Sequence, residues 1–325
     1  MIDRRTAVAW LTASTATLAT GAWAAPGAFP SKNLTVVVPY PAGGANDLLA
    51  RGVKVQWEQA WGKPVLVDNK PGGNGSIGTD FVARQPADGY TLLMGSVATH
   101  AINPALYPKL KYNAQRDFVP VAFMGSTPLI LTAHPSLGLK TVQDLIGYAK
   151  KYPGKLSYAS VGTGSAGHLA AELFKLKAGV DIVHVPYRGI SQASTDLVGG
   201  QIGLAFSNVL NVLPYLRSGK LVALGITGKE RLPALPQVPR IGDTLKDYSV
   251  DLWWGVFAPA GTPTAVVDKL NAETNKYLDT KETRAKWEAE GISVSLLSPQ
   301  QFKDLVERDS KKWAEVIKAA NVVAE

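Results

Sequence analysis

Along most of this chain, short apolar runs alternate with stretches whose apolar residues recur every three or four positions. Leu34-Thr-Val-Val-Val38 predicts a buried strand, ended by Pro39-Tyr-Pro-Ala-Gly-Gly44. Leu49, Val53, Trp57 and Trp61 then repeat every four residues, one stripe of a helix closed by Gly62. Residues 64–67 and 90–94 read as strands on either side of a helix over 77–84. Further strands are expected at 129–134, 156–161, 182–185, 202–206 and 221–226. Helices are expected from Thr141, whose Thr-x-x-Asp start is that of a capping box, and over 168–177, 190–198 and 209–217. Residues 229–247 read as loop, with Pro233, Pro236 and Pro239. A strand at 253–258 follows, then helices over 263–278 and 280–290. The last amphipathic helix is opened by Ser298-Pro-Gln-Gln301 and runs through Phe302, Leu305, Val306, Trp313 and Ile317.

Strand and helix in alternation predict an α/β fold. The block 126–228 carries its own alternation and could bury its own core. Residues 25–125 and 229–325 would then form a discontinuous first domain, joined to the second by crossings near 124–128 and 226–230. Such a chain is a two-lobed clamp with its ligand cleft between the lobes and at the carboxyl ends of parallel strands.

Composition narrows the chemistry. The 325 residues include no cysteine, which removes disulfides, thiol nucleophiles and Cys-ligated metal sites together. The four histidines, His100, His134, His168 and His184, show no i, i+4 pair, so no helical metal site is expected. The net charge of +8 is spread along the chain. Beyond residue 24 its tight basic pairs, Lys150-Lys151 and Lys311-Lys312, sit on amphipathic helices, so nucleic acid is not an expected partner. At the N-terminus, Arg4-Arg5, an uncharged Ala/Leu/Thr-rich stretch and Ala22-Trp23-Ala24 predict a secretory signal peptide over residues 1–24. The stretch is too short and too rich in Thr and Ser to be a transmembrane anchor. The arginine pair leaves twin-arginine export open beside the general route.

Three glycine-rich turns precede helices. Pro41-Ala-Gly-Gly-Ala-Asn-Asp47 lacks the Gly-Lys-Ser/Thr ending of a nucleotide P-loop. Gly73-Asn-Gly75-Ser-Ile-Gly78 and Gly162-Thr-Gly164-Ser-Ala-Gly167 match the dinucleotide pattern, but no acidic residue ends the strand that follows either one. Arg188 keeps an NADP-dependent oxidoreductase open as an alternative. Ser165 and His168 lie three apart, yet Thr163 stands where a nucleophile elbow needs glycine, and no triad assembles. The helix starts after Gly44, Gly78 and Gly167 instead offer N–H donors to an anion, and two of them facing one cleft would suit a carboxylate or a dicarboxylate.

The motifs Val38-Pro-Tyr-Pro-Ala-Gly-Gly-Ala-Asn-Asp47, Asn69-Lys-Pro-Gly-Gly-Asn-Gly-Ser-Ile-Gly78 and Asp88-Gly-Tyr-Thr-Leu-Leu93 occur in order with several later ones. These include Gly164-Ser-Ala-Gly-His-Leu169, Val185-Pro-Tyr-Arg-Gly189, Leu235-Pro-Gln-Val-Pro239 and Phe257-Ala-Pro-Ala-Gly-Thr-Pro263. With them the chain resembles, from Leu34 to its last helix, the periplasmic solute-binding proteins of tripartite tricarboxylate transporters, also called the Bug family. The resemblance implies a periplasmic, non-catalytic monomer without cofactor that closes over a small aliphatic or aromatic carboxylate and passes it to membrane permease subunits. An exported sensor serving a signalling partner is the alternative.

Carried over residue by residue, the resemblance implies a first-lobe grip of Tyr40, Gly43, Gly44, Asn46 and Asp47, with Ser96 and Thr99. Asp47 is expected to cap a helix or bridge the lobes, since its charge would repel an anion. The second-lobe grip is Ser165, Ala166, Gly167 and His168, with Arg188 and Asn208 on the side walls. Trp253-Trp254 departs from the Trp-Tyr pair common in the family. Trp254 therefore either lines the cleft, where it would stack on an aromatic acid, or belongs to the core.

Overall fold

The computed structural model describes residues 29–187 and 189–323. The expected signal peptide and Arg188 lie outside the described residues.

Two sheets share one long strand. In the first lobe, β1 (Leu34–Val38) lies between β2 (Val65–Asn69) and β3 (Thr91–Ser96), all parallel. The sheet continues antiparallel from β3 to β9 (Asp251–Pro259), and from β9 to the first part of β4 (Phe118–Ala133). The second lobe holds the rest of β4 between β7 (Leu204–Asn208) and β8 (Val222–Ile226), antiparallel to both. There β5 (Ser157–Ser160) pairs in parallel with β7 and with β6 (Val183–Pro186).

Helices cover these sheets by their apolar stripes. In α1 (Ala45–Trp61) the buried residues include Leu49, Val53 and Trp57, the expected stripe, and Gly62 ends the helix in the left-handed conformation. The first-lobe sheet is also packed by α2 (Ser76–Ala83) and α8 (Thr264–Leu278). Short α3 (Asn103–Leu106) follows β3. In the second lobe, α4 (Val142–Lys151) starts with the capping box read from Thr141 and Asp144. After it come α5 (Ala166–Ala178), α6 (Ile190–Val198) and α7 (Val209–Arg217). The first lobe is completed by α9 (Lys281–Ala289) and α10 (Pro299–Ala319), and α10 packs on α3 and on α5, so it touches both lobes.

Two boundaries differ from the sequence reading. The strand expected at 129–134 begins eleven residues earlier, at Phe118, because Pro120 is accommodated where the β4–β9 register shifts between Pro120 and Ala122. Residues 229–250, expected with the first lobe, pack on the second. Leu232, Leu235 and Val238 cluster with Ile130, Leu197 and Ile226, and the Tyr248 hydroxyl donates to Ala170 O at 3.0 Å. β4 changes sheets between Pro128 and Leu129, and the chain rejoins the first-lobe sheet at Asp251, where β9 begins. Among the described residues no helix is long and apolar enough to cross a membrane.

Candidate carboxylate site

In the first lobe the loops after β1, β2 and β3 converge at the carboxyl ends of parallel strands. Asp47 organises the first of them. Its carboxylate accepts from Gly43 N–H at 3.0 Å, Arg51 Nε at 2.8 Å and Asn69 Nδ2 at 3.1 Å. Hydrogen bonding from Arg51, before any other cause, holds its pKa below the usual carboxylate range. Asn46 is also buried and donates to Met94 O at 2.9 Å, tying the start of α1 to β3. No side chain caps α1 at Gly44, so the N–H groups of its first turn remain open to an acceptor. The Tyr40 hydroxyl lies 3.4 Å from Ser96 Oγ and reaches Asn74 O at 3.5 Å, joining the three loops, and burial raises its pKa.

In the second lobe a cavity of about 230 Å³ opens at the carboxyl ends of β5 and β7. The first turns of α5 and α6 and the entry to α7 converge on it through Ala166 and Gly167, Ile190 and Ser194, and Asn208 and Asn211. No charged side chain lines it among the described residues. An anion there would be met by backbone dipoles and hydroxyls, each helix start contributing about 0.3–1 kcal/mol when exposed and up to ~2 when partly buried. Leu252 of β9 closes the cavity on the hinge side. The two loop clusters meet where Gly164, before α5, lies against Leu106 of α3, so closely that a Cβ at Gly164 would strike the leucine.

The structure separates the expected site residues by what they touch. Ala166, Gly167 and Asn208 line the cavity. Tyr40, Gly43, Gly44 and Ser96 belong to the converging first-lobe loops. Ser165 caps α5, its hydroxyl accepting from His168 N–H at 3.4 Å. Asp47, expected to cap the helix or bridge the lobes, caps no helix; its carboxylate holds the loop before α1 through Gly43, Arg51 and Asn69.

Three expected contacts are placed elsewhere. Thr99 is fully buried, its hydroxyl committed to Ser96 N–H at 2.9 Å and to His100 Nδ1 at 2.8 Å, so it shapes the Ser96 turn from behind. His168 is only 5% exposed, and its Nδ1 accepts the Gly164 N–H at 2.9 Å. The ring stacks on His184 at 3.9 Å, and burial followed by the His184 charge lowers its pKa to about 4. It is therefore a neutral prop beneath the 162–165 turn. Trp254 is buried in the first-lobe core with Val38, Leu49 and Met94, so of the two placements open to it the core holds. Arg188 lies outside the described residues.

Two of the glycines that suggested a dinucleotide turn, Gly164 and Gly167, have packing reasons. At Gly167 a Cβ would come within 2.6 Å of Phe206 O, so only glycine lets α5 start this close to β7. The sequence reading missed Ser160, Ser194, Ser207 and Asn211. The available signal was their position, each near a strand end or near the start of a helix that the hydrophobic pattern did locate.

Comparison with known proteins agrees with this geometry. The family model described as "Tripartite tricarboxylate transporter family receptor" matches residues 49–322. The protein encoded in the tcbD-tcbE intergenic region of Pseudomonas sp. strain P51 is 38% identical over 292 residues, which are 89% of this chain and 87% of that one. BugT of Bordetella pertussis is 35% identical over 89% of this chain and 90% of its own. Among solved structures, R. palustris Rpa4515 with adipate superposes with a TM-score of 0.76 at 35% identity, covering 91% of this chain and 99% of that one. MatC from Rhodopseudomonas palustris with bound malate gives 0.72 at 33% identity, covering 89% and 100%. The chain belongs to the tripartite tricarboxylate transporter receptor family.

Proposed function

We propose that this protein is the extracytoplasmic receptor that captures a small carboxylate between its lobes and delivers it to the membrane permease of a tripartite transporter. The observation that carries the reading is the cavity, lined by no charged side chain among the described residues, on which three helix starts of the second lobe converge. In the other lobe the first turn of α1 has no side-chain cap and carries a second set of N–H donors. Two fixed sets of donors, one on each lobe, bind one anion better when the lobes are together than apart. The ligand thereby shifts the chain toward the closed form that a permease would recognise. Adipate in one relative and malate in another support a carboxylate as the cargo. No reacting group is needed for this work.

The test uses residues 25–325, freed of carried-over ligand by unfolding and refolding. Thermal unfolding is followed with aliphatic and aromatic mono- and dicarboxylates, citrate and NADPH. A carboxylate at a hundred times its dissociation constant stabilises by about 2.7 kcal/mol, a rise of several degrees for a chain this long. Stabilisation by NADPH and by none of the acids would overturn the reading.

A further inference from the structure

We infer that the ligand of this site has an apolar body: a carboxylate whose remaining atoms are a hydrocarbon chain or a single ring, not a hydroxylated di- or tricarboxylate. The inference rests on the carboxylate reading above and adds the class of acid. The walls of the second-lobe cavity beyond the helix starts are Leu129, Leu197, Phe206 and Leu252, with Ala193 and Ala205 between them. At its mouth Val161 and Ile190 remain 48% and 37% exposed, two of the larger apolar side chains left open to water on this molecule. A ligand body lying across them would cover both.

The polar lining is Ser160, Ser194, Ser207, Asn208 and Asn211, which lie at the ends of β5 and β7 and near the starts of α6 and α7. Ser160 Oγ is engaged with His184 Nε2 at 2.6 Å and with the Gly162 backbone, so it has little left to offer a ligand. Ser207 is 8% exposed and lines the cavity. With the helix starts of α5 and α6 it can serve one carboxylate head. Nothing among the leucines and Phe206 can satisfy a hydroxyl carried further along the ligand, and burying one unpaired there is unfavourable. Size agrees as well: an apolar cavity of about 150 Å³ accepts benzene, and this one measures about 230 Å³.

The experiment is calorimetric titration of the refolded chain with three sets of acids. The first is the straight monocarboxylates from acetate to octanoate, the second is benzoate, and the third pairs succinate with malate and tricarballylate with citrate. Affinity is expected to rise about fourfold per methylene until the cavity is full, the fold-change corresponding to ~0.8 kcal/mol per buried CH₂. Each hydroxylated acid is expected to bind at least tenfold more weakly than its partner without the hydroxyl. The Ile190→Ser variant should flatten the chain-length dependence. Malate or citrate binding as well as its deoxy partner, with no chain-length dependence, would overturn the apolar-body inference and leave the carboxylate reading standing. Failure of every acid to bind would overturn both.

Discussion

Leu129 and Thr227 hold each other at the point where the chain changes lobes. Leu129 N–H donates to Thr227 Oγ1 at 2.7 Å, and Thr227 N–H donates to Leu129 O at 2.9 Å. The Thr227 hydroxyl reaches Val250 O at 2.7 Å, so one buried side chain ties together β4 and the two segments bounding the return crossing. Both crossings therefore run through a single hydrogen-bonded cluster, which makes the hinge narrow. Thr227→Val preserves the shape but strands the Leu129 amide. The expected cost is about 1–3 kcal/mol, read as a lower urea midpoint at unchanged slope. A loss under ~0.5 kcal/mol would mean that another acceptor reaches that amide.

The His168–His184 stack makes stability pH-dependent. His168 Nδ1 accepts from Gly164, so the neutral ring is the form that the fold holds. Its pKa is lowered to about 4 against 6.5 in the unfolded chain, so unfolding takes up a proton at intermediate pH. The contribution is complete above pH 6.5 and is lost as pH falls toward 4, at most about 3 kcal/mol. His100, fully buried and lowered to about 3 by that burial, adds in the same direction. Unfolding temperatures between pH 7 and 4 should fall steadily. His168→Asn, which keeps an acceptor for Gly164 but does not titrate, should show a shallower fall, and an unchanged one would remove His168 from this role.

Gly167→Ala tests how closely α5 must approach β7. The new methyl would lie 2.6 Å from Phe206 O, a backbone atom that cannot turn aside. The helix start must then shift, at about 1–3 kcal/mol of stability. Because the same turn lines the cavity, ligand affinity should drop at least tenfold. Gly147→Ala, in α4 with open space at its Cβ, is the control and should leave both unchanged or slightly improved.

Asp47→Asn separates holding a loop from binding a ligand. The amide cannot accept from Gly43, Arg51 and Asn69 as the carboxylate does, so the turn before α1 should loosen. Carboxylate affinity is expected to fall several-fold. A gain in affinity would instead mean that the Asp47 charge faces the ligand and repels it.

Much of this molecule was legible from its pattern of residues. The elements over 190–198 and 209–217 were read at their observed bounds, and the stripe Leu49, Val53, Trp57 is buried as expected. The first half of β4 was not legible, because Pro120, Gly125 and Pro128 interrupt the strand signal that its pairing with β9 supplies. The placement of 229–250 was equally hidden. Its prolines say only that the segment is irregular, and which lobe it covers depends on Leu232, Leu235 and Val238 finding Ile130 and Leu197 far away in sequence.

The sequence by itself determined the alternation of strand and helix, the glycine turns at helix starts, the absence of thiol chemistry and the order of motifs that marks the family. These are local properties, carried by residue spacing and backbone preference. Only the tertiary structure decided which polar residues reach the site. His168, Thr99 and Trp254 sit within or beside the right motifs, yet each side chain is drawn inward, by Gly164, by the Ser96 turn and by the first-lobe core respectively. Ser207 and Leu252, in unremarkable strand sequence, line the cavity instead, because the direction of a strand side chain is set by which face its neighbours leave uncovered.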